Sequence, residues 1–262
     1  EKAADETPSP AVPEELREVV GEAAVALARH IGYQSAGTIE CLVMDDGEFF
    51  FLEMNTRLQV EHPVTEMVTG LDLVKLQFAI AAGERLPFTQ DDLSQRGHAI
   101  ECRIYAEDPN NNFLPAIGPL LLFLPPEGPG IRVDAGVQSG DEITIHYDPM
   151  IAKVIVYDST RENAIARMDK ALRDTVILGT TTNITFLRAL LAHPTFVLGK
   201  VHTSFIEAHL DELTTREVPN PDMALLAAAL HDLHNVSVGV TRQAAEDVPD
   251  PWSRADGFRM GR

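Results

Sequence analysis

Apolar residues recur at helical spacing near the start of the chain. The positions that share this spacing are Leu16, Val19, Val20, Ala23, Ala24 and Leu27. Intervals of three and four residues place side chains on one face of an α-helix. Residues 1–13 are polar and contain three prolines, so we expect an extended arm there. The pattern therefore predicts an arm and then a helix over residues 14–30, which Gly32 ends.

Two strand-like runs follow the helix, over residues 38–44 and 48–55. The Asp-Asp-Gly sequence between them suits a hairpin loop, because its glycine can adopt a positive φ. After Pro63, two helical stretches divided near Gly70 precede a polar linker over residues 84–96. The first block of the chain is therefore predicted to contain a helix, a hairpin and two further helices.

A second block, rich in short strands, starts after this linker. Its strand candidates, separated by glycines and prolines, are residues 98–105, 120–124, 131–134, 143–146 and 151–157. A helix is predicted to start at Ser159, with Glu162 completing a capping box. Helices are also expected over residues 184–192 and 204–213, and within residues 216–255 an Ala/Leu-rich helix precedes an Asp/Pro-rich linker. Strands and helices grouped in this way predict a mixed α+β fold.

Composition and charge exclude several classes of function. The chain has 262 residues, of which 45% are hydrophobic, enough for a sizeable core. No apolar run approaches the roughly 20 residues that span a bilayer. The formal net charge of −19 repels phosphate backbones and anionic lipids. We therefore expect neither nucleic acid nor membrane among the partners.

The two ends and the two cysteines indicate the compartment. The chain begins with an acidic, polar segment that does not resemble a signal peptide. It has no initiator methionine, and we interpret both ends as cuts through a longer polypeptide. Cys41 and Cys102 form no spaced motif, and each lies in an apolar strand-like run. Both are expected to be small core residues in a reducing, cytoplasmic environment.

The polar residues between Glu53 and Glu61, here called the polar stripe, carry the candidate chemistry. In an extended chain alternate side chains share a face. The side chains predicted to share this face are Glu53, Asn55, Arg57, Gln59 and Glu61. Across the hairpin, Glu40 is expected roughly level with Glu53. The pattern therefore places carboxylates, amides and one guanidinium together.

These residue types suit a site for a metal ion and a small oxyanion. Glu40, Glu53 and Asn55 supply the hard oxygen donors that Mg²⁺ prefers. Arg57 has the planar fork that binds bicarbonate or phosphate, and Glu61 could act as a general base. The alternative is a solvated strand edge with surface ion pairs, which contribute little. Against it, Phe49 and Phe51 precede the stripe on the same predicted face, as though the face began in a core.

Glu53 to Glu66 read EMNTRLQVEHPVTE, and this run resembles the signature of biotin carboxylases, a branch of the ATP-grasp superfamily. Further matches are GLDLV from Gly70, RGHAIECRI from Arg96, AEDP from Ala106, FLP from Phe113, YDPMIAK from Tyr147 and the pair Thr182-Asn183. The first match is long and contains no gap. The resemblance covers roughly residues 1–210.

The resemblance implies a role for each matching residue near the hairpin. Glu40, Glu53 and Asn55 match positions that hold two divalent ions, Mg²⁺ or Mn²⁺, against ATP. Leu42 matches a residue that packs near the adenine. These residues would form the nucleotide side of the site.

The resemblance also implies roles in carboxyl transfer. Arg57, Gln59 and the backbone of Val60 match the bicarbonate pocket. Glu61 matches the base that takes a proton from bicarbonate. Arg103 matches the guanidinium that stabilises the biotin enolate, although from the residues alone a salt bridge with its neighbour Glu101 would be favoured.

The implied activity is that of an ATP-dependent ligase that forms a carbon–nitrogen bond. Bicarbonate attacks the γ-phosphate of ATP to give carboxyphosphate, whose CO₂ is taken up by biotin held on a carrier domain. The implied partners are a biotin carboxyl carrier domain or protein, a carboxyltransferase subunit, and a second copy in a homodimer or larger complex. The resemblance points to an acyl-CoA carboxylase α subunit of the acetyl-, propionyl- or methylcrotonyl-CoA type. It does not imply which acyl-CoA is used, because the acceptor is chosen elsewhere.

The resemblance divides the chain into four parts. Residues 1–83 correspond to the C-terminal part of an ATP-grasp domain, and 84–96 to a linker. Residues 97–210 correspond to the biotin carboxylase C-terminal domain of sheet and helices. Residues 211–262 lead, through a helix and a linker, toward a truncated downstream domain.

Some expected parts of the family are missing. The central domain, its glycine-rich loop and the lysines that contact the nucleotide phosphates have no counterpart here, so the fragment is expected to be inactive alone. Carbamoyl phosphate synthetase shares the Glu-x-Asn-x-Arg spacing but lacks Glu-His-Pro-Val-Thr-Glu. The remaining alternatives are the biotin carboxylase domain of a pyruvate carboxylase and a non-catalytic dimerisation or scaffold fragment. His62, His98 and His146 are expected to be structural, and no His/Cys cluster suggests zinc.

Overall fold

The computed structural model of the chain describes residues 3–44, 46–214 and 221–243, with side chains in the last range described for 222–233. The chain divides into two compact units, Glu1–Thr215 and Arg216–Arg262. The Asp/Pro-rich linker expected after the last helix lies outside the described residues.

The first block has the predicted order of a helix, a hairpin and two helices. Its elements are β1 (Ala4–Thr7), α1 (Glu14–His30), β2 (Thr38–Val43), β3 (Phe49–Asn55), α2 (His62–Thr69) and α3 (Leu73–Ala81). Gly70 ends α2 in the left-handed region at φ 74°, where a glycine carries no steric penalty. Asp72 then caps α3 by accepting a hydrogen bond from the Lys75 N–H at 2.8 Å.

The second block consists of short strands followed by helices. Its elements are β4 (His98–Tyr105), β5 (Glu107–Asp108), β6 (Leu114–Pro115), β7 (Gly118–Pro119), β8 (Leu122–Leu124), β9 (Ile131–Ala135), β10 (Glu142–Ile143), β11 (Met150–Asp158), α4 (Arg161–Asp174), β12 (Val176–Leu178), α5 (Ile184–Ala192), α6 (Pro194–Val197), α7 (Phe205–Ala208) and α8 (Leu210–Thr214). Short 3₁₀ turns occupy Gln90–Asp92 and Pro109–Asn111. The α+β class that the sequence predicts is confirmed.

An antiparallel sheet of four strands, in the order β1-β4-β11-β9, organises the first unit. Every residue of β4 is buried, so both faces of this strand are covered. One face presents Ile100, Cys102 and Ile104 to the main hydrophobic core. The opposite face carries Ala99, which packs with residues of α2. Arg103 lies on this same face and is therefore held inside the fold.

The extended arm takes part in this sheet. It contains β1, which pairs with β4 and which the sequence pattern did not predict. Glu6 of β1 accepts hydrogen bonds from His98 at 2.8 Å and from Arg161 at 2.7 and 3.0 Å. Although burial opposes it, these two partners lower the pKa of Glu6. The arm is therefore tied to both β4 and α4.

The main core lies between the sheet and the helices that follow it. Met168 and Leu172 of α4 and Leu187 and Leu191 of α5 are nearly or fully buried there. Cys102 is also buried in this core, as expected, and burial raises the pKa of its thiol. Burial of a large aliphatic side chain contributes about 1.5–3 kcal/mol, so this core is a main source of stability in the first unit.

Several predicted bounds were wrong. The helix expected from Ser159 starts at Arg161, and its cap is Thr160, whose hydroxyl accepts a hydrogen bond from the Asn163 N–H. The strand expected to reach His146 ends at Ile143, so His146 is not on a strand. The single helix expected over residues 204–213 is divided into α7 and α8. The sequence pattern thus indicated the right type of structure in each case, but misplaced two ends and missed one interruption.

The hairpin of β2 and β3 corrects two further expectations. Phe51 is 56% exposed and Cys41 is only partly buried, so the polar face does not begin in a core. The register shifts between Glu40 and Cys41, which leaves Leu52 as an extra residue on β3. This bulge interrupts the alternation on which the prediction depended. In the described residues the two strands form a sheet of their own.

The second unit contains α9 (Pro221–Gln243), the predicted Ala/Leu-rich helix. Its large apolar side chains among the described residues, Met223, Leu225, Leu226, Leu230 and Leu233, are all exposed. None of the helices in the described ranges combines the length and apolar character that crossing a membrane requires.

Candidate metal and oxyanion site

Glu40 and Glu53 lie directly opposite each other on β2 and β3. Directly paired residues of an antiparallel pair share a face of the sheet. The Asn55 side-chain N–H group donates to Glu40 Oε1 at 3.0 Å and to Glu53 Oε1 at 3.2 Å. The three side chains therefore meet at one point, as the hairpin register predicts.

The second half of the polar stripe converges by a different route from the predicted one. β3 ends at Asn55, so Arg57, Gln59 and Glu61 do not alternate along a strand. The chain turns instead, and the Gln59 amide donates to Glu40 Oε1 at 2.7 Å. The sequence analysis expected these side chains to come together by alternation along a strand. In the structure a turn after Asn55 brings Gln59 to Glu40 instead.

The residues of this turn line an open cleft of about 400 Å³. The stripe residues and their partner on β2 that line it are Glu40, Arg57, Gln59 and Glu61. Arg57 is exposed, and its hydrogen bonds to Leu58 O and Asn55 Oδ1 are both long, at 3.4 Å. A guanidinium held so weakly can turn toward an anion in the cleft.

Arg103 joins the sheet to the stripe. Its NH2 group donates to Glu61 Oε2 at 2.8 Å and to Asp5 Oδ2 at 3.1 Å. Burial lowers the pKa of Arg103, but the carboxylates of Asp5 and Glu61 outweigh it and the pKa is raised. The salt bridge with Glu101 that the sequence alone favours is present only as a long contact, 3.9 Å from Arg103 Nε to Glu101 Oε1, without a hydrogen bond.

Asp5 and Lys153 belong to the site but were missed in the sequence. Asp5 lies in the arm, which gives no signal of its own. Lys153 is part of the matched YDPMIAK run and stands opposite Arg103 on β11. Its ammonium donates to Val60 O at 2.5 Å and lies 3.5 Å from Asp134 Oδ2. Only the pairing of β1 and β11 with β4 shows that both side chains lie beside Arg103.

Glu101 lies beside Arg103 on the same face of β4 and is fully buried. Among the described residues neither of its carboxyl oxygens has a hydrogen-bond partner. Burial raises the pKa of Glu101 to about 8. The negative charges of Asp5 and Glu61 also raise this pKa, whereas the positive charges of Lys153 and Arg103 lower it. Glu101 therefore holds a proton at neutral pH.

Several residues of the matched motifs serve the fold. Glu66 accepts hydrogen bonds from the Leu73 N–H and from Arg132, both at 2.7 Å, and so joins α2 to α3 and β9. Asn183 bonds the backbone of β4 at Arg103 and Tyr105. His62 donates from Nδ1 to Gln59 O at 2.8 Å and fixes the turn before Pro63, as expected.

Leu42, the residue expected near the adenine, lies on β2 opposite Phe50. Leu42 is 37% exposed and Phe50 52% exposed. The structure thus leaves an apolar surface beside the carboxylates. An adenine ring could be covered by such a surface, but its role remains a prediction.

A second group of possible metal ligands lies among the described residues, in the helices after α5. It consists of His193, His209 and Glu212, whose ligand atoms all lie within 4.8 Å of one another. However, His193 Nδ1 accepts a hydrogen bond from the Thr195 N–H, which puts the ring proton of the neutral tautomer on Nε2. Nε2 faces Glu212 at 3.5 Å, and a protonated nitrogen does not ligate a metal. The group is therefore better described as hydrogen-bonded ion pairs.

The residues at the hairpin do fit a divalent ion. Two carboxylates and an amide supply the hard oxygen ligands that Mg²⁺ and Mn²⁺ accept. One oxygen of Glu40 and one of Glu53 already point at the same amide N–H group. A cation could take the place of this donor, with the amide turned to present its oxygen.

Two protein families match parts of the chain. Residues 101–208 match the family described as "Biotin carboxylase C-terminal domain". Residues 1–89 match the family described as "Carbamoyl-phosphate synthase L chain, ATP binding domain".

Individual proteins show the same similarity. The chain is 45% identical to the mitochondrial methylcrotonoyl-CoA carboxylase subunit alpha of Dictyostelium discoideum, over 99% of this chain and 37% of that protein. It is 52% identical to the biotin carboxylase of a Nostoc strain, over 79% of this chain and 46% of that protein. The chain therefore spans less than half the length of these relatives.

A solved structure is similar as well. It is the biotin carboxylase domain dimer of the 2-oxoglutarate carboxylase of Hydrogenobacter thermophilus, in complex with MgADP, ADP and bicarbonate. The TM-score is 0.80 and the sequences are 45% identical, over 83% of this chain and 48% of that one.

Proposed function

Because the chain belongs to the biotin carboxylase family, we propose that it is part of the biotin carboxylase component of an acyl-CoA carboxylase. The proposed enzyme uses ATP and bicarbonate to carboxylate biotin through carboxyphosphate. The observation that carries the proposal is the convergence of Glu40, Glu53 and Asn55 beside the cleft that Arg57, Gln59 and Glu61 line. The part covered here is proposed to be inactive alone, since it spans less than half of each relative.

In the proposed site, Glu40, Glu53 and Asn55 hold Mg²⁺ or Mn²⁺ against the phosphates of ATP. The cation would neutralise the charge that develops on the transferred phosphoryl group. Leu42 contributes its exposed apolar side chain to the adenine pocket. The four carboxylates and amides of the hairpin and turn are already linked by hydrogen bonds, so little rearrangement is needed to present oxygens to a cation.

Bicarbonate is proposed to bind between Arg57, Gln59 and the backbone of Val60. The exposed guanidinium of Arg57 offers two parallel N–H donors to a planar oxyanion. Glu61 takes the bicarbonate proton, which increases the nucleophilicity of the oxygen that attacks the γ-phosphate. Lys153 fixes the Val60 carbonyl and so holds this part of the pocket in place.

Arg103 is proposed to stabilise the negative charge of the biotin enolate. Its hydrogen bond to Glu61, the proposed base, supports a second half-reaction next to the first. CO₂ released from carboxyphosphate would therefore travel only a short distance to biotin.

The proposed partners are a biotin carrier domain or protein, a carboxyltransferase subunit and a second copy of the chain. The relative from Dictyostelium aligns over 99% of the chain, whereas the Nostoc biotin carboxylase aligns over 79%. The alignment with the Dictyostelium subunit thus includes the residues after about 210. It favours an acyl-CoA carboxylase subunit whose chain continues beyond the biotin carboxylase part. We retain a cytoplasmic location as a proposal, although the Dictyostelium relative is named mitochondrial.

The proposal predicts the effect of Arg57→Ala in the complete enzyme. Biotin carboxylation should fall by about 10²-fold or more, because the oxyanion loses its charged donor. ATP binding should remain, since Arg57 belongs to the proposed bicarbonate pocket. Carboxylation of biotin and nucleotide affinity are measured separately.

Arg85→Ala is the matched control, because Arg85 is exposed in the linker and does not line the cleft. It should leave both quantities unchanged. The proposal is wrong if Arg57→Ala keeps full turnover, or if it loses ATP binding while it still folds.

A further inference from the structure

Two buried polar groups face each other without forming a hydrogen bond. They are the Arg103 Nε–H and the carboxyl group of Glu101, with Nε 3.9 Å from Oε1. Both lack a hydrogen-bond partner among the described residues. A buried unsatisfied polar group costs about 1–3 kcal/mol. This arrangement therefore needs a physical reason.

The reason lies on the other side of the guanidinium. Asp5 and Glu61 both bind the NH2 group of Arg103, and their pull holds Nε away from Glu101. An approach of about 1 Å would bring Nε and Oε1 within hydrogen-bond distance. Arg103 thus has a second available position, at the expense of its bond to Glu61.

The charges around Glu101 favour the present position while Glu61 is ionised. The groups that face Glu101 are Asp5 from β1, Arg103 from its own strand, Lys153 from β11 and Glu61 from the turn before α2. A negative charge on Glu101 would add to those of Asp5 and Glu61. Protonated Glu101 competes weakly for Arg103, and ionised Glu101 competes strongly.

We propose that Glu101 is a positioning residue for Arg103, namely the reserve partner that the guanidinium engages through Nε when Glu61 releases it. Glu61 loses its negative charge when it takes the bicarbonate proton, and its hold on Arg103 then weakens. Arg103 moves toward Glu101, and its Nε–H donates to a carboxyl oxygen there without any proton transfer. The protonation state of Glu61 thus sets the position of the group proposed to face the biotin enolate.

The inference deepens the proposed function and rests on it for its link to biotin. The contact itself can be tested in this chain alone. Glutamate side chains are labelled with ¹³C at the carboxyl carbon, and Glu101→Gln identifies the Glu101 signal. We expect this signal to titrate near 8. A titration in the ordinary acidic range of glutamate overturns the inference.

A second variant tests whether Glu101 takes over Arg103. Glu61→Gln removes the charge that competes for the guanidinium, so the Arg103 Nε–H signal should move in the direction of a stronger hydrogen bond. The pKa of Glu101 should fall by about one unit. In an Arg103→Lys background, which has no Nε–H, most of this fall should disappear. Glu142→Gln, on an exposed glutamate of β10, is the control and should change neither signal. If the Nε–H signal does not respond to Glu61→Gln, the inference is wrong.

The complete enzyme then tests the functional link. Raising the pH through the pKa of Glu101 ionises it, so Glu101 should hold Arg103 even while Glu61 is ionised. The position of Arg103 then no longer follows the protonation state of Glu61, and biotin carboxylation should fall on the alkaline side. Glu101→Gln should shift this fall by about one pH unit or more. Bicarbonate-dependent ATP cleavage without biotin should change less.

A parallel loss of both activities at every pH would indicate a merely structural role for Glu101 and overturn the inference. If the wild-type complete enzyme does not carboxylate biotin, the proposed function fails instead. The two titrations in this chain would still decide whether Glu101 is the reserve partner. These two titrations do not depend on the enzymatic activity of the Glu101→Gln variant.

Discussion

At the scale of single residues, the site depends on the partners of two basic side chains, Arg103 and Lys153. Arg103 binds Asp5 and Glu61, and Lys153 binds the Val60 carbonyl. Glu101 lies two residues from Arg103 and is fully buried, and its carboxyl group accepts no hydrogen bond from the described residues. A carboxyl group in such a place is kept neutral by burial, and this has a measurable effect on stability.

The free energy of unfolding of this chain should depend on Glu101. Its pKa is raised from 4.5 to about 8 in the folded protein, so between these values the folded state binds more protons than the unfolded state. Stability contributed by the bound proton is therefore present at low pH and is lost as pH rises toward 8. Between about pH 6 and pH 8 the wild-type chain should lose about 2 kcal/mol relative to Glu101→Gln.

Denaturant unfolding of both proteins at the two pH values measures this difference. Glu142→Gln replaces an exposed glutamate and should follow the wild type. Equal pH dependence in wild type and Glu101→Gln would mean that Glu101 is ionised in the folded chain.

At the scale of elements, β4 is the strand on which the site is built. It pairs with β1 on one side and β11 on the other, which brings Asp5 and Lys153 beside Arg103. Its end is fixed by Asn183, which is 1% exposed. The Asn183 amide donates to Arg103 O and accepts from the Tyr105 N–H, both at 3.0 Å.

Replacing Asn183 by alanine should destabilise this chain by about 2–4 kcal/mol, because two buried backbone groups lose their partners. Thermal or denaturant unfolding measures the loss. Asn111→Ala, in an exposed turn, is the control and should stay within about 0.5 kcal/mol of wild type. If Asn183→Ala changed the free energy of unfolding as little as the control does, water or another group would have to replace the amide.

At the scale of the whole molecule, acidic residues greatly outnumber basic ones. Its formal charge is −19, and the carboxylates of Glu40 and Glu53 converge at the hairpin. ATP is itself an anion, so the chain should repel it, whereas a divalent cation should be attracted.

Calorimetric titration of this chain should therefore detect weak Mg²⁺ binding but no affinity for Mg-ATP. The double variant Glu40→Gln and Glu53→Gln should abolish the Mg²⁺ signal, since it removes both carboxylates. A double replacement of the exposed acids Asp91 and Glu142 changes the net charge equally and should not. Tight Mg-ATP binding, or ATP hydrolysis that depends on bicarbonate, would show that the site is already complete.

The sequence by itself determined the elements with strong periodicity and the family. The helix over residues 14–30, the strand over 98–105 and the opposition of Glu40 and Glu53 follow from local patterns. Local patterns suffice for these because spacing along the chain sets which side chains share a face. The long match from Glu53 to Glu66 indicated the family that the comparisons support.

Only the tertiary structure decided what lies around Arg103. Asp5 is separated from it by almost 100 residues and Lys153 by 50, and no local pattern links such positions. The turn after Asn55 and the bulge at Leu52 also escaped prediction, because alternation assumes an uninterrupted strand. The neutral state of Glu101 depends on burial between two neighbouring strands and α2, which is a property of the folded chain alone.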